Sequence, residues 1–441
     1  MSNGLSSFNV NGLSPSCESC LTSAGKMFNF AAVAILALFL AFIWIVASNQ
    51  FPSDEFQSRK TEIEKKPSKC SLPKRILMWT TLWGEQSFGW EKIFYRQVSR
   101  QCEESHCELV YDHRLLDSAD AVVFHPIDLH PDYVLPEYHP PNQIWIFFTL
   151  EAPAAVVEDQ HVNMSHLGGL FNWTMTYRRD SDVVVPYGKV IPKTLPSNHT
   201  PKVRDYWAEK SKTKLAAWMV SHCGTLSRRE WFVKELVKYI RVDVFGRCGF
   251  KKCGKNISFK TLGTFDQYKC NAEIETYMFY FAFENAICDD YVTEKFFVAL
   301  QLNVVPVVFG GGNYEEIAPP DSFINALNFP SPKALAEYLK MVSENASIYN
   351  KYLEWKNYYD IELGHPFNPL ICDLCSKLHN QSSLQPPVVT MSSAEAAGIM
   401  LTFKTRDHTG SYPDIESWFV KGSACRRWWA GPYDYRKHWN L

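Results

Sequence analysis

Two short stretches place basic residues where a helix should begin. In "LSRRE", Ser227 and Glu230 have the S-x-x-E spacing of a capping box, with Ser227 as the cap and Arg228 and Arg229 in the first turn. In "CDDYVTEK", Asp289 or Asp290 can cap the next helix, which sets Lys295 about one turn in. The positive end of a helix dipole disfavours both arrangements. A bound anion reverses the sign, because free backbone N–H groups, the dipole and the cationic side chains then all serve one phosphate. One such site alone fits solvated surface residues equally well; two in one region fit a shared nucleotide diphosphate. Glu151, directly after "IWIFFTL", puts a carboxylate at the carboxyl end of a strand, where general bases often sit and where loop acids are also common. The "DSD" at 180–182 has a spacing that can hold a divalent ion, but cations already facing a diphosphate make a metal unnecessary.

These residues need a scaffold that aims strand ends and helix starts into one space. "RILMWTTLW", "CELVYD", "ADAVVFHP", "NQIWIFFTLE" and "SDVVVPYG" read as short buried strands with turn or helix candidates between them. After the charged segment 201–214, "KLAAWMVSHC", "RVDVFG", "MFYFAFEN" and "NVVPVVFG" read as a second set of strands. Helices are expected over "SRREWFVKELVKYI" and from the "DDYVTEK" region through Leu300. Proline inside "NVVPVVFG" is awkward for a central strand. The expected fold is therefore α/β, with two facing Rossmann-like domains and a ligand beyond the strands' carboxyl ends. No G-x-x-x-x-G-K-[ST] or G-x-G-x-x-G motif is present, so P-loop and dinucleotide readings are weak. "GGGNYEE", from Gly310 to Glu316, could let backbone approach a ligand or be an ordinary loop. The basic, aromatic "CRRWWAGPYDYRKHW" fits packing and acceptor contact alike.

The chain has 441 residues, 46% apolar and 21% charged, enough for two or three domains with sizeable cores. A formal net charge of −2 gives no case for nucleic-acid binding. Residues 30–47 carry no charged or polar side chain and are just long enough to span a bilayer, which favours an uncleaved signal anchor over a cleaved leader. Only Lys26 precedes that span, whereas several basic residues follow it, which would put the carboxyl side in the cytosol. Six N-glycosylation sequons (Asn163, Asn172, Asn198, Asn256, Asn345, Asn380) and eleven of the 13 cysteines follow the span and argue for an oxidising lumen instead. Cys102 with Cys107, Cys248 with Cys253, and Cys372 with Cys375 are the expected disulfide pairs; a zinc site at "CDLC" lacks a second ligand pair. The domain reading is a tail (1–27), an anchor (28–48), a stem (49–72), two Rossmann-like domains (73–205 and 206–380) and an extension (381–441).

"FYFAFENAICDDYVTEKFFVAL", "FFTLEAP" with "FNWTMTYRRDSDVVVPYG", and "VSHCGTLSRREWFVKEL" resemble the α1,3-fucosyltransferases of glycosyltransferase family 10 over roughly residues 75–375. The first stretch is long and specific, and "CDDYVTEK" looks more like invertebrate members. The resemblance implies a GT-B architecture, a single-pass type II protein of the Golgi cisterna membrane and a luminal catalytic domain. It also implies GDP-fucose as donor, a glycoprotein or oligosaccharide acceptor, and transfer with inversion. No metal is strictly required, though Mn or Mg can stimulate. On matching positions, Glu151 is the implied catalytic base. Arg229 and Lys295 are the implied diphosphate contacts, Glu294 meets the ribose or fucose side, and Asn285, Tyr291 and Ser221 join the donor site. Two features depart from the vertebrate pattern: His222 with the "GTLSRR" loop, and a longer tail after Gln381. A luminal transferase using another nucleotide sugar and a non-catalytic glycan-binding relative are the alternatives. The acceptor, N-glycan core or Lewis- or LacdiNAc-type antenna, is not readable from the sequence.

Overall fold

The computed structural model describes residues 73–82, 84, 106–129, 135–140, 142–196, 200–251, 265–363, 368–380 and 410–428, all within one compact unit. The expected tail, anchor and stem, with Cys102, Cys253, Asn198 and Asn256, lie outside the described residues. No described helix is long and apolar enough to cross a membrane.

Two parallel sheets form the frame. The first holds β1 (Lys74–Met78), β2 (Cys107–Val110), β3 (Ala121–Phe124), β4 (Ile144–Thr149), β5 (Trp173–Thr176) and β6 (Val183–Val184), in the order β2-β1-β3-β4-β5-β6. The second holds β8 (Ala216–Met219), β9 (Val242–Phe245), β10 (Phe279–Phe283), β11 (Val305–Phe309) and β12 (Ile324–Asn325), in the order β12-β11-β10-β8-β9. Each sheet begins with the same doubly wound pattern, in which the second strand lies outside the first and the third lies inside it. The direction of winding reverses between β1 and β3 and again between β8 and β10, and ligands bind where such a reversal opens a crevice. An antiparallel pair, β7 (Gly188–Pro192) with β13 (Tyr359–Leu363), joins the end of the first region to the end of the second.

The central strands β3, β4, β10 and β11 are buried along their whole length because both faces of each sheet are covered there, whereas the edge strands β2 and β9 carry Glu108 and Asp243. All six residues of β4, IWIFFT, are buried. Ile144, Ile146 and Phe148 turn to one core, while Trp145 and Phe147 turn to another. That second core is completed by the far end of the chain: Tyr412, Ile415, Trp418 and Phe419 pack there, with Phe419 edge-on to Phe147 at 5.1 Å between centroids. Over 410–428 the extension is thus a cover for the first sheet. Pro306 is tolerated inside β11 because β12 begins to pair only at Val307, so the ladder on that side does not include the proline.

Several local expectations are corrected. The first described helix, α1, runs Arg229–Leu236 and stops before Ile240, and Val237 is exposed. Its cap is Arg228 in the left-handed region at φ 58°, so Ser227 and Glu230 do not form the expected box. Ser227 turns its hydroxyl inward to the Glu284 carbonyl at 2.9 Å, and Glu230 accepts from Thr225 Oγ1 at 2.9 Å. The remaining helices begin with α2 (Phe265–Ile274) and α3 (Glu294–Gln301). Helix α3 is capped by Thr293, not by Asp289 or Asp290. Asp290 sits at φ 60° with its carboxylate turned to Arg179.

The disulfide pairs are also corrected. Cys107 pairs with Cys375 and Cys223 with Cys248, so none of the three sequence-near pairings forms; Cys288 pairs with Cys425. Cys107 starts β2 at the sheet edge and Cys375 lies on the helix packed there, so the fold brings together residues 268 apart. Cys270 and Cys372 are disulfide-bonded as well. His379 lies beside the Cys107–Cys375 pair, but both sulfurs are spent on each other, so the group offers no thiolate to a metal.

Candidate active site

The end of β10 is a hub. Its last residues and the two that follow read Phe283-Glu284-Asn285, and they lie at the winding reversal next to β8. Phe283 O accepts from Arg229 Nη1 at 2.6 Å. Glu284 O accepts from the Ser227 hydroxyl, and Asn285 O from the Ser227 N–H at 3.0 Å. The start of α1 therefore hangs from this strand end. The start of α3 hangs from the same place through the Glu284 side chain. Its Oε1 accepts the Thr293 N–H at 2.8 Å, and its Oε2 accepts Thr293 Oγ1 at 2.8 Å and faces Lys295 Nζ at 3.4 Å. Gly310 is required here, because a Cβ would stand 2.3 Å from the Tyr314 hydroxyl and 3.1 Å from Glu284.

Lys295 sits one residue into α3, with Nζ 2.8 Å from Thr293 Oγ1 and 3.2 Å from Glu294 Oε1. Burial would lower its ammonium, but Glu294 and Glu284 outweigh that and hold it above the ordinary lysine value. Arg229 is almost fully enclosed at 3% exposure. Its guanidinium is fixed by Phe283 O, by His222 O at 3.1 Å and by Glu230 at 3.3 Å. Ser221 lies on the exposed turn after β8, where its carbonyl accepts from Arg247 Nε at 2.9 Å and the Cys223–Cys248 bond ties the turn down.

The other wall comes from the first sheet. Glu151 follows β4, with its N–H on Thr149 Oγ1 at 3.2 Å, and the preceding Leu150 carbonyl accepts from Tyr187 OH at 2.5 Å. Tyr291, buried in the loop before α3, lies 3.1 Å from Asn285 Oδ1 and 3.4 Å from Glu151 Oε2. Its single hydroxyl proton serves one of the two at a time. Tyr177 and Tyr187 wall the Tyr291 ring edge-on, at 4.9 and 6.4 Å. Burial raises the Glu151 carboxyl above its ordinary value; Lys295 opposes this, while Glu294 and Glu284 add to it. Tyr291 is raised far above the usual phenol for the same reasons, burial first and then Glu151, so it remains a donor. Glu151, Asn285, Tyr291, Glu294 and Lys295 thus converge; Arg229 is tied to the same strand end through the Phe283 carbonyl, and Ser221 lies on the exposed turn whose His222 carbonyl Arg229 holds. Chemically this is an enclosed carboxylate beside a cationic helix start, with a tyrosine hydroxyl between the two sheets' contributions.

Glu284 is the residue that sequence reading missed. Its only signal is that an acid ends a run of five buried strand residues, where a charge has no place unless it is held. The acidic "DSD" is explained without a metal. Asp180 pairs with Arg178 at 2.8 Å and accepts from the Trp418 indole, and Asp182 accepts from Thr174 N and Tyr412 OH, both at 2.9 Å. The glycines of "GGGNYEE" approach protein, since a Cβ on Gly311 would lie 2.5 Å from Cys288 O and one on Gly312 2.2 Å from Val292.

Two family models match: "Fucosyltransferase, N-terminal" over residues 71–188 and "Glycosyltransferase family 10 (fucosyltransferase) C-term" over 209–393. The chain belongs to glycosyltransferase family 10. It is 36% identical over 330 residues to alpha-(1,3)-fucosyltransferase C of Drosophila melanogaster, covering 70% of this chain and 73% of that one. It is 33% identical over 318 residues to alpha-(1,3)-fucosyltransferase 7 of Rattus norvegicus, covering 71% and 72%. A solved α1,3-fucosyltransferase with GDP-fucose aligns over 73% of this chain and 95% of its own, at TM-score 0.46 and 17% identity. This family 10 chain is a glycosyltransferase, and fucosyl transfer is the activity that its relatives support.

Proposed function

We propose that this family 10 chain transfers L-fucose from GDP-fucose in α1,3 linkage to N-acetylglucosamine of a glycoprotein glycan, with inversion at the anomeric carbon. The observation that carries the reading is the meeting of Glu151, from the first sheet, with the Tyr291–Lys295 segment of the second, marked by the 3.4 Å contact between Tyr291 OH and Glu151. Departure of GDP builds negative charge on the diphosphate. Lys295 and the starts of α1 and α3 stabilise that charge more in the transition state than in the ground state. Arg229 adds positive charge and holds the His222 carbonyl, and with it the turn that carries Ser221. Glu294 takes the ribose or fucose side, and Asn285 sets the Tyr291 hydroxyl. A sugar hydroxyl is a poor nucleophile near neutral pH, so Glu151 removes its proton as it attacks the face opposite GDP. A carboxyl raised by its surroundings suits a base that operates near neutrality. No metal is assigned a role, and transfer is expected to survive chelation. A Golgi luminal setting behind a type II anchor belongs to the same proposal.

The test is transfer from GDP-fucose to a panel of N-glycan core, N-acetyllactosamine and LacdiNAc acceptors, with product linkage and anomer read by NMR. An α1,3-fucosylated product supports the reading. Turnover of a UDP-sugar with none of GDP-fucose overturns the donor assignment, and glycan binding without turnover overturns the enzymatic one.

A further inference from the structure

Residues 423–428 bond to three consecutive residues of the loop between β10 and α3. Arg426 N–H donates to Ile287 O at 2.7 Å, in an antiparallel bridge. Cys425 is bonded to Cys288. Asp289 N–H donates to Ser423 O at 2.8 Å, and the Asp289 carboxylate pairs with Arg426 at 3.1 Å. The same six residues reach both other walls of the site. Trp428 N–H donates to Ser227 O at 3.2 Å, just before α1, and its ring meets Phe232 edge-on at 5.1 Å. Arg427 pairs with Glu158, in the helical turn after Glu151. The base of the segment is held from the first sheet, where Arg178 donates to Ser423 Oγ at 2.7 Å and stacks over Trp418 at 4.8 Å.

We propose that residues 423–428 are a positioning strap for the donor loop: they pin Ile287, Cys288 and Asp289 so that Asn285, Tyr291 and Lys295 keep the geometry that binds the nucleotide sugar. The inference rests on the donor site proposed above. The loop from 284 to 293 has no strand or helix of its own beyond the bridge to Arg426: Glu284 and Thr293 anchor its ends to each other, and its middle, Ile287 to Asp289, is held by residues 423–428. A loop that must be ordered when ligand arrives loses affinity to that ordering, and one already pinned does not. Loss of the strap therefore raises the Michaelis constant for the donor. A part that merely held the fold together would lower the active fraction, and hence apparent kcat, and would leave that constant unchanged.

The experiment compares the full chain with Cys288→Ser/Cys425→Ser, which leaves no unpaired thiol, and reads kcat, both Michaelis constants and hydrogen exchange over residues 286–292. The donor constant is expected to rise on the order of tenfold while the acceptor constant holds and exchange in the loop quickens. If the serine pair does not fold, Arg426→Pro deletes the N–H that bonds Ile287 with the disulfide intact, and it should shift the donor constant in the same direction. An unchanged donor constant, or an equal rise in both constants, overturns the strap. Failure of the unmodified chain to bind GDP-fucose is a separate result that overturns the donor reading itself, before any variant is compared.

Discussion

At the scale of single residues, the site is a balance among three carboxylates and one ammonium. Glu151, Glu284 and Glu294 surround Lys295, and burial raises both Glu151 and Glu284. For Glu151 the sign runs one way for catalysis and the other for stability. In its proposed role as base Glu151 acts only when ionised, so kcat/KM should climb with pH through a limb that lies above the ordinary carboxylate range. A raised folded-state value means the native protein holds its proton more tightly than the unfolded chain does. Its stabilising contribution is thus lost as pH rises through that value. Glu151→Gln should therefore abolish most transfer, by about 10²- to 10⁴-fold. It should still bind GDP-fucose and melt at a higher temperature near neutral pH. Steady-state kinetics, calorimetry and a melting curve check the three parts, and full activity would remove Glu151 from its role. Glu284→Gln tests the neighbour. The amide can still accept from Thr293, but Lys295 loses a charge partner and Glu151 loses a nearby negative charge. The donor Michaelis constant should rise, and the acid limb of the pH profile should move down; a limb that stays in place would mean the two carboxyls are not coupled. Glu151 and Lys295 stood out because an acid at a strand end and a cation at a helix start suggest a chemistry, and Tyr291 stood out only through the family resemblance; the structure brings the three together. Glu284 did not stand out, because its function depends on what it holds.

At the scale of elements, the sequence pattern found strands well and caps poorly. The runs at "IWIFFTL" and "MFYFAFEN" are β4 and β10, as continuous apolar runs between covered faces should be. Caps failed because several candidates stood within a few residues of each helix start, and tertiary contacts chose among them. Asp290 was drawn off by Arg179, and Ser227 by the Glu284 carbonyl. Glycines behave similarly: their reason lies in what approaches them. At Gly311 a Cβ would meet the Cys288 backbone at 2.5 Å, and backbone cannot rotate aside. Gly311→Ala should cost about 1–3 kcal/mol as an overpacked site and displace the donor loop, visible as a lower melting temperature with weaker GDP binding. The sequons sort by the same logic. Asn172 is 4% exposed, accepts from Trp145 N–H at 2.8 Å and donates to Ser411 at 3.3 Å, so a folded chain cannot carry a glycan there. Asn163, Asn345 and Asn380 are exposed. Glycopeptide mass spectrometry should find Asn172 bare, and an occupied Asn172 would contradict the packing of 410–428 on the first sheet.

At the scale of the whole molecule, chain order and spatial order part company, and this is why the disulfides could not be paired from spacing. Cys107, Cys248 and Cys375 each take a partner well away from the neighbouring cysteine that spacing suggests, and two of the bonds join residues 268 and 137 apart. Two of these bonds differ in what they join. Cys288–Cys425 fastens the strap to the donor loop, while Cys107–Cys375 ties the edge of the first sheet to the helix at Asn368–His379. The second closes a loop with a separation of 268 residues, so in the chain-entropy account it removes about 5 kcal/mol worth of freedom from the unfolded state. Neither cysteine is among the residues of the candidate site. Cys107→Ser/Cys375→Ser should therefore lower the unfolding temperature by several degrees and leave the Michaelis constant for GDP-fucose unchanged in the folded fraction. Scanning calorimetry alongside donor titration separates the two effects. An altered donor constant would mean that the sheet edge and the donor loop are mechanically linked, whereas an unaltered melting temperature would mean that the packing of that helix, and not the bond, holds the edge in place.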